Sequence, residues 1–397
     1  MRNVVIVDGV RTPFGKLGGG LRKFHTAELC GIVIKAITER TEILERGNID
    51  SVFMGSAFGD AQCTNIARYA SRYAGLPYEV TASFIETQCG SAIDAVNHAA
   101  WKIDTGNADV IIAGGGESYS QRCAKFSMSV DPYKLIPPTA IPNRLSPIKD
   151  EAIDMVTISD LLAEKWDISR EACDEFSLRS QNLAQKTIES GWLDNQICPV
   201  IIPATKKSPE IIVSKDEHPR FDLTIDQLTK LRSVYPNGVT TAGNASGRND
   251  GASAVLMMSE EKAKELGYTP IARWIGSAEA GVDPRYMGIA PAYSNVKLLK
   301  RFGLSLGDID VYECNEAFAA QNLSVIREME NIMGGTVNMD NWNPNGGAIA
   351  FGHPNGASGT RITTFAMHEL KRRGGKYALI SSCCGGGLGV STLIEAF

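Results

Sequence analysis

Three stretches of the chain place a reactive side chain among small neighbours. Cys89 lies in the run Thr-Gln-Cys-Gly-Ser, His353 lies in Gly-His-Pro, and Cys383 precedes Cys-Gly-Gly-Gly. A cysteine thiolate is a strong nucleophile, and a histidine exchanges protons near neutral pH. The glycines leave room for a substrate and expose backbone N–H groups to a developing oxyanion. These residue types in these settings indicate nucleophilic catalysis by a cysteine.

Cys89 is expected at the junction of a strand and a helix. An apolar run, Val80–Ile85, precedes it. Apolar residues at helical spacing follow it, namely Ile93, Val96, Ala100 and Ile103. The unpaired N–H groups at the start of a helix favour a thiolate over a thiol. A buried, unreactive cysteine is the alternative, and it is the more frequent fate of this residue type.

The elements around Cys89 alternate between strand-like and helix-like segments. The predicted strands are Val4–Val7, Ser51–Gly55 and Ala108–Ala113, the last ending in Gly114-Gly115-Gly116. The predicted helices are Thr26–Thr38 and Asn65–Tyr73. Such alternation predicts an α/β fold whose sheet is largely buried.

A long irregular segment interrupts this alternation after about Ser120. It contains a predicted helical hairpin, Thr157–Lys165 and Arg170–Ser190, and a polar, lysine-rich stretch, 203–232. Segments of this length, inserted between sheet-forming elements, often cover an active site. Acidic residues are interspersed among the basic ones, so a solvated surface is the alternative interpretation of this stretch.

The C-terminal part of the chain resembles a second copy of the N-terminal part. Ile309–Cys314 and Tyr377–Cys383 are predicted strands, and the second of them runs into three glycines, as Ala108–Ala113 does. A helix is predicted over Thr360–Arg373, after the loop that holds His353. A duplicated fold would place Cys89 and His353 at corresponding strand-to-helix turns, facing one pocket.

The overall composition excludes several classes of function. The chain is 43% hydrophobic and 21% charged, as in ordinary soluble proteins, and its net charge of -5 gives no general attraction to nucleic acid or anionic membranes. No apolar run is long enough to span a bilayer, and the first residues do not have the pattern expected of a cleaved secretory signal. The spacings of the nine cysteines are not those of a disulfide framework or of a paired Cys-x-x-Cys metal site. A reducing cytoplasm is therefore expected.

Taken together, the motifs resemble those of the thiolase family, nearly end to end and most closely its biosynthetic branch. The matching motifs are Cys89-Gly90-Ser91, Thr241–Gly247, Asn315–Ala319, Gly352-His353-Pro354 and Cys383-x-Gly385-Gly386-Gly387. The resemblance implies an α/β fold with a duplicated five-layer αβαβα core, made of two similar βαβαβαββ halves. The implied domains are an N-terminal half (1–119 and 248–270), an inserted loop domain (120–247) and a C-terminal half (271–397).

The resemblance also implies a role for each motif. Cys89 would take an acetyl group from acetyl-CoA, and His353 would activate it and hold the thioester oxygen. Asn315 would position a water molecule that completes this oxyanion site. Cys383 would exchange a proton with the methyl group of a second acetyl-CoA. The backbone N–H groups of Cys89 and Gly385 would form a second oxyanion hole.

The substrates implied by the resemblance are coenzyme A thioesters, converted reversibly from two acetyl-CoA to acetoacetyl-CoA and CoA. The expected substrate contacts are Arg220 near the adenine and phosphate, Ala245, Ser246 and Gly247 near the pantetheine, and Met155 and Met287 at the acyl end. No permanently bound cofactor and no metal are expected. A homotetramer, built as a dimer of dimers, is implied as well.

Departures from the family pattern leave the acyl chain length open. They are Gln88, Ala92, Gly116, Tyr119 and Asp154, which stand where other residue types are common. A degradative 3-ketoacyl-CoA thiolase with a broader chain-length range is the main alternative. A decarboxylating ketoacyl synthase would have two histidines where Asn315 and Cys383 stand. A silent CoA-binding protein on the same fold would not need Cys89, His353 and Cys383 together.

Overall fold

A large mixed β-sheet organises the protein in the computed structural model, which describes residues 2–128, 130–131, 133–206 and 208–397. Its strand order is β12-β13-β14-β11-β1-β10-β5-β3-β4, with β2 paired to β10, and β6–β7 and β8–β9 form two small ribbons. The strands are β1 (Val4–Arg11), β2 (Gly15–Lys16), β3 (Ser51–Gly55), β4 (Thr81–Ile85), β5 (Val110–Ser118), β6 (Lys125–Phe126), β7 (Ala140–Ile141), β8 (Val200–Ile202), β9 (Ile211–Val213), β10 (Asn249–Ser259), β11 (Ala272–Gly281), β12 (Val311–Cys314), β13 (Tyr377–Cys384) and β14 (Leu388–Ala396).

Helices cover the sheet and connect its strands, so the predicted α/β class is confirmed. The α-helices are α1 (Thr26–Thr41), α2 (Ile43–Arg46), α3 (Ile66–Tyr73), α4 (Ser91–Asp104), α5 (Met155–Lys165), α6 (Arg170–Glu189), α7 (Ile225–Thr229), α8 (Glu260–Glu265), α9 (Ala290–Phe302), α10 (Ala319–Met333), α11 (Ala348–Phe351) and α12 (Asn355–Arg373). Short 3₁₀ turns lie at Gln88–Gly90, Lys149–Glu151, Pro284–Ile289, Leu306–Asp308 and Met339–Asn341.

The strand pairing of the N-terminal half is repeated in the C-terminal half. In the first half β1 pairs antiparallel with β10, β10 pairs antiparallel with β5, and β5 runs parallel to β3. In the second half β11, β14, β13 and β12 repeat these three relations in the same order. A short antiparallel pairing of β1 with β11, over Val4–Ile6, joins the two halves. The similarity between the N-terminal and C-terminal parts of the sequence therefore corresponds to a duplicated arrangement of strands in the sheet.

Three hydrophobic clusters divide the molecule into five layers. One cluster packs α1 and α3 on the outer face of the N-terminal half, and another packs α9 and α10 on the outer face of the C-terminal half. Between them, apolar side chains of α4 and α12 pack against strands of both halves. Helices α4 and α12 begin just after Cys89 and His353 respectively, so the central layer carries both segments to one place.

Close backbone contact explains why glycines recur along this central layer. A Cβ atom at Gly359 of α12 would lie 2.5 Å from the backbone nitrogen of Ile93 in α4. A Cβ atom at Gly356 would overlap the carbonyl oxygen of Gly116 in β5. Real Cβ atoms do not approach so closely, so glycine lets α12 lie directly against α4 and β5.

Two predictions, one about a glycine run and one about the surroundings of His353, need correction. Strand β5 does not end at Gly114–Gly116 but continues to Ser118, because β10 pairs with all three glycines. In contrast, Gly385–Gly387 do form the turn between β13 and β14. Helix α12 begins at Asn355, well before the predicted start, and the short helix α11 precedes His353 instead of a strand.

The segment between β5 and β10 packs mainly on the C-terminal half. Helix α5 contacts α10 and the 3₁₀ turn at Pro284–Ile289, while α6 contacts α10 and α11. The predicted helical hairpin is confirmed, with Asp154 and Ser169 as the N-caps of α5 and α6. The exact domain boundaries 1–119, 120–247, 248–270 and 271–397 stay a prediction. Across the described part of the chain, no helix is both long and apolar enough to cross a membrane.

Candidate active site

A cavity of about 560 Å³ opens at Cys89, where the central layer meets the inserted segment. Most of the predicted site residues line this cavity: Cys89, Met155, Ala245, Ser246, Gly247, Met287, His353 and Gly385. Asn315 and Cys383 are fully buried and are not part of the lining. Arg220 is exposed elsewhere on the surface. The fold therefore brings residues from both halves of the chain to one cavity.

The turn that carries Cys89 is sharp and tied by hydrogen bonds. Cys89 lies in the 3₁₀ turn between β4 and α4, as predicted, and the preceding Gln88 has a positive φ of 49°. The Ser91 hydroxyl donates to the Gln88 carbonyl over 2.6 Å and accepts the Thr87 N–H over 2.9 Å. A non-glycine residue with positive φ is uncommon, and such strain is characteristic of functional turns. The turn leaves Cys89 partly exposed to the cavity.

The acidity of Cys89 differs from the prediction. Burial, followed by the negative charge of Glu117, raises the pKa of the Cys89 thiol to about 12, and a hydrogen bond from Asn355 acts in the opposite direction. The start of α4 favours a thiolate, as expected, but burial and the nearby carboxylate outweigh it. Cys89 is therefore a thiol in the substrate-free protein at neutral pH.

Glu117 connects the two halves of the site. It lies near the end of β5 and accepts hydrogen bonds from the Ser56 hydroxyl at 2.7 Å, the Ala57 N–H at 2.8 Å and the Gly356 N–H at 3.1 Å. Gly356 belongs to the segment after His353, so this carboxylate anchors that segment beside β3 and β5. Burial raises the pKa of Glu117 to about 7 although these hydrogen bonds favour its charged form.

His353 is a neutral imidazole, and both of its ring nitrogens contact polar side chains. Its Nδ1 lies 2.6 Å from the Ser358 hydroxyl, which itself donates to the Pro354 carbonyl over 3.3 Å. A Ser358 hydroxyl that donates to Pro354 favours the tautomer with the proton on Nδ1, in which the Nε2 lone pair faces Asn315 Nδ2, 3.4 Å away. Burial, followed by the nearby Arg361 guanidinium, lowers the pKa of His353 to about 3. Nε2 is thus available to accept a proton.

Asn315 lies beneath the cavity, directly after β12. Its side chain is completely buried, and Nδ2 faces His353. Its Oδ1 atom has no hydrogen-bond partner within the residues that the structure describes. A buried acceptor without a partner in the protein is a typical position for an ordered water molecule.

Cys383 is buried near the end of β13, close to Cys89. Burial raises the pKa of its thiol far above the ordinary value, and the neighbouring Cys89 and Cys314 add to this effect. Gly385 follows in the turn and lies against the Cys89 turn, since a Cβ atom there would be 3.2 Å from Gln88 Cγ. Cys384 is also buried, and its sulfur lies next to Gly90, in keeping with a packing role.

The predicted pantetheine contacts form one wall of the cavity. The Ser246 N–H donates to the Ala317 carbonyl over 3.0 Å, so the 245–247 loop is fixed beside the segment that carries Asn315. A Cβ atom at Gly247 would overlap the imidazole of His218, so the His218 ring covers this end of the loop. Arg220, two residues after His218, does not line the cavity, so its contact with substrate stays a prediction.

Several side chains of the cavity are not among the predicted site residues. Asn355 Nδ2 lies 3.2 Å from Cys89 Sγ, and the Tyr119 hydroxyl donates to Asn355 Oδ1 over 3.0 Å. The available signals were weak, since Asn355 only follows Gly-His-Pro and Tyr119 only departs from the family pattern. Three arginines also line the cavity, namely Arg122, Arg144 and Arg248. They come from separate loops, and only the fold brings them together.

Comparison with known proteins identifies the family. Models of the thiolase N-terminal and C-terminal domains match residues 4–261 and 268–396. The 3-oxoadipyl-CoA/3-oxo-5,6-dehydrosuberyl-CoA thiolase of Escherichia coli (strain K12) is 41% identical over 404 aligned positions, covering 100% of both chains. An acetyl-CoA acetyltransferase of Cupriavidus necator is 40% identical over 400 positions, again covering 100% of both chains. The crystal structure of the Bacillus anthracis acetyl-CoA acetyltransferase has a TM-score of 0.92 and 40% identity, over 100% of this chain and 99% of that one. The chain therefore belongs to the thiolase family.

Proposed function

We propose that this acyltransferase is an acetyl-CoA C-acetyltransferase, which reversibly condenses two acetyl-CoA to acetoacetyl-CoA and CoA through an acetyl group on Cys89. The observation that carries the proposal is the cavity lined by Cys89 and His353, with Cys383 buried close to Cys89. Cys89 would serve as the nucleophile, His353 would accept its proton, and Cys383 would act as acid and base at the methyl carbon.

The first half-reaction forms the acetyl-enzyme. Nε2 of His353 accepts the Cys89 proton as the sulfur attacks the thioester carbonyl of acetyl-CoA. The carbon–sulfur bond to CoA then breaks, and the leaving CoA sulfur takes the proton of the Cys383 thiol, so that Cys383 becomes a thiolate while His353 stays protonated. Neutral His353 suits this role because its Nε2 lone pair makes only a long contact, 3.4 Å to Asn315 Nδ2, before the substrate binds. The thiol form of Cys89 also explains why proton transfer must accompany the attack.

The second half-reaction forms the new carbon–carbon bond. The Cys383 thiolate formed in this way removes a proton from the methyl group of a second acetyl-CoA, and the resulting carbanion attacks the acetyl group on Cys89. The Cys89 sulfur then leaves and takes back the proton held by His353, and acetoacetyl-CoA is released. His353 and a water on Asn315 would stabilise the enolate oxygen, in agreement with the unpartnered Asn315 Oδ1 among the described residues. The N–H groups of Cys89 and Gly385 would stabilise the tetrahedral intermediate.

Coenzyme A thioesters are proposed as substrates, with no permanently bound cofactor. Ala245, Ser246 and Gly247 would contact the pantetheine, Met155 and Met287 would border the acyl group, and Arg220 would lie near the adenine and phosphate. The first five of these residues line the cavity, which supports their assignment more directly than that of Arg220.

Steady-state thiolysis of acetoacetyl-CoA by CoA tests this proposal. The wild-type protein should produce acetyl-CoA with ping-pong kinetics, because the acetyl group is held covalently between two half-reactions. Cys89→Ser should lose this activity, whereas Cys63→Ser, at a partly exposed cysteine outside the cavity, should keep it. Equal activity of the wild type and Cys89→Ser would contradict the proposal.

A 3-oxoacyl-CoA with a terminal carboxylate is the second candidate substrate. Arg122, Arg144 and Arg248 line the cavity, and none of them forms an ion pair with a carboxylate of the described residues. Unpaired arginines that face a pocket favour an anionic ligand. The E. coli relative is named for 3-oxoadipyl-CoA, which carries such a carboxylate. In thiolysis of that substrate, Cys89 would hold a succinyl group.

The ratio of kcat/KM values distinguishes these substrates. Acetoacetyl-CoA, 3-oxoadipyl-CoA and the uncharged 3-oxooctanoyl-CoA would be compared under the same conditions. A preference for acetoacetyl-CoA supports the acetyltransferase. A preference for 3-oxoadipyl-CoA that Arg144→Leu abolishes, with the rate for acetoacetyl-CoA preserved, supports the second candidate. A preference for 3-oxooctanoyl-CoA would contradict both and favour a degradative thiolase of broad chain length.

A further inference from the structure

Two polar side chains without a part in the reaction steps above connect in series to the Cys89 sulfur, Asn355 directly and Tyr119 through Asn355. The Asn355 amide approaches Sγ through Nδ2, 3.2 Å away, and its Oδ1 accepts the Tyr119 hydroxyl proton over 3.0 Å. Sulfur is a weak acceptor as a thiol and a much stronger one as a thiolate. We propose that Tyr119 and Asn355 form a hydrogen-bond relay that holds the Cys89 sulfur in place and stabilises its thiolate. The relay extends the proposed function, since it rests on Cys89 as the nucleophile.

The backbone around Asn355 fixes one end of this relay. Asn355 is the first residue of α12, and only 8% of its surface is exposed. The next residue, Gly356, donates its N–H to Glu117 and lies directly on β5, where no larger residue fits. The Asn355 side chain therefore projects from a rigid point of the fold toward the Cys89 turn. A donor held in this way loses little conformational entropy when the sulfur becomes charged.

Tyr119 fixes the other end and determines which way the amide points. It follows the last residue of β5, and its ring packs edge-on against Phe58 with centroids 5.1 Å apart. Burial raises the pKa of the Tyr119 phenol, so its hydroxyl keeps the proton that it donates to Oδ1. With Oδ1 engaged, Nδ2 faces the sulfur as a donor. The reverse orientation would offer an oxygen to the S–H group and stabilise the thiol instead.

The other charged and titratable groups near the Cys89 sulfur either disfavour its thiolate form or line the cavity that it faces. Glu117 and Glu86 raise the pKa of Cys89, and the thiols of Cys383 and Cys384 lie close by. His353 is neutral, and Arg122 and Arg248 line the cavity. The Asn355 amide is the side-chain donor that lowers the pKa of Cys89. The relay thus offsets part of the cost of forming the nucleophile in a buried, acidic setting.

Site-resolved alkylation of Cys89 by iodoacetamide tests the relay in the full-length protein without any acyl-CoA. Reaction at fixed pH reports the thiolate fraction, and peptide mass spectrometry separates Cys89 from the other cysteines. Asn355→Leu keeps the approximate size of the side chain and removes the donor. We expect the Cys89 rate to fall about tenfold, corresponding to the loss of one charge-assisted hydrogen bond. An unchanged or faster rate would overturn the proposal, and a faster rate would indicate the reverse amide orientation.

A double-mutant cycle tests whether Tyr119 acts through Asn355. Tyr119→Phe removes only the hydroxyl and is expected to slow alkylation several-fold, by less than Asn355→Leu. In the Asn355→Leu background the same change should have no further effect, since the amide that it orients is gone. If the double variant instead shows the product of the two single-variant rate reductions, the relay is overturned, because Tyr119 then acts on Cys89 independently of Asn355. Tyr268→Phe is the matched control, because its hydroxyl bonds to the Thr41 carbonyl in another part of the protein.

The alkylation result and the acyl-transfer result can fail independently. If the wild-type protein accepts an acetyl group from acetoacetyl-CoA but Asn355→Leu does not change the alkylation rate of Cys89, the proposed function stands and the relay is refuted. If the alkylation rate depends on Asn355 and Tyr119 as expected but no acyl group is transferred to the protein, only the proposed function is refuted.

Discussion

Cys89 and His353 are both uncharged in the substrate-free protein because each is buried. Burial raises the pKa of Cys89 to about 12 and lowers that of His353 to about 3. A thiolate–imidazolium pair is therefore disfavoured until a substrate brings its own polar groups into the cavity. The sequence motifs identify both residues, but the sign of the Cys89 shift depends on Glu117 and on burial, which local patterns do not reveal.

Replacing Glu117 by glutamine should make Cys89 more reactive above neutral pH. Ionised Glu117 raises the pKa of the thiol, and the pKa of Glu117 itself is about 7. Well below pH 7, both proteins carry a neutral side chain at this position, and their alkylation rates should converge. Above pH 7 only the wild type gains the opposing charge, so Glu117→Gln should alkylate several-fold faster. A rate ratio that is independent of pH would contradict this account.

Replacing His353 by glutamine should impair catalysis without unfolding the protein. The loss of a general base lowers kcat by roughly 10²–10⁴-fold in typical enzymes. Thiolysis kinetics would measure the effect, with circular dichroism as a check on folding. His98→Gln is the matched control, since His98 is exposed and bonds to the Asp94 carbonyl of its own helix. Near-wild-type kcat for His353→Gln would argue against its role.

At the level of secondary-structure elements, hydrophobic spacing predicts most of the helices and strands. Ser51–Gly55 has the predicted bounds, and α4 and the hairpin of α5 and α6 lie where the pattern places them. The glycine-rich parts are harder to interpret. Gly114–Gly116 suggest the end of a strand, although their lack of side chains lets β5 continue against β10 and α12. Asn355 escapes prediction because helix α12 starts in a Gly/Pro-rich segment with no apolar periodicity.

The contact of α12 with α4 predicts an unusual response to alanine at Gly359. In an exposed helix this change would stabilise by about 1 kcal/mol, because alanine favours the helix. Here the new Cβ atom would lie 2.5 Å from the Ile93 nitrogen, so α12 must move away from α4. We expect a net destabilisation of about 1–3 kcal/mol and a lower acylation rate of Cys89.

Denaturant unfolding would measure the change in stability for Gly359→Ala. Gly281→Ala is a suitable control, since a Cβ atom at Gly281 would meet no atom within 4 Å. Equal or greater stability of Gly359→Ala than of the wild type would show that the central layer can relax around the extra methyl group.

At the level of the whole molecule, the duplication explains how residues distant in sequence share one site. The two halves of the sheet repeat the same pairings, and their central helices α4 and α12 start at the same cavity. Repeated motifs in the sequence are sufficient to predict this duplication. They cannot predict the arginines of the cavity, because Arg122, Arg144 and Arg248 come from separate loops whose approach depends on the inserted segment.

The predicted homotetramer can be tested through the exposed apolar side chains of the inserted segment. Val130, Tyr133 and Leu135 are 95%, 94% and 102% exposed in the single chain. Large apolar side chains exposed together are typical of contact surfaces between proteins. The double substitution Tyr133→Ser, Leu135→Ser should shift a tetramer to smaller species in light scattering. Tyr78→Ser, at a tyrosine 75% exposed elsewhere, is the control. A wild-type protein that is not a tetramer would contradict the prediction directly.

Mass spectrometry of the intact protein after brief incubation with acetoacetyl-CoA tests the central claim most directly. The account predicts a mass increase of one acetyl group, located on Cys89 by peptide mapping and absent from Cys89→Ser. With 3-oxoadipyl-CoA, a succinyl group on the same residue would support the second substrate. The absence of any acyl group with either thioester, or its location on another residue, would contradict the assignment of Cys89 as the nucleophile.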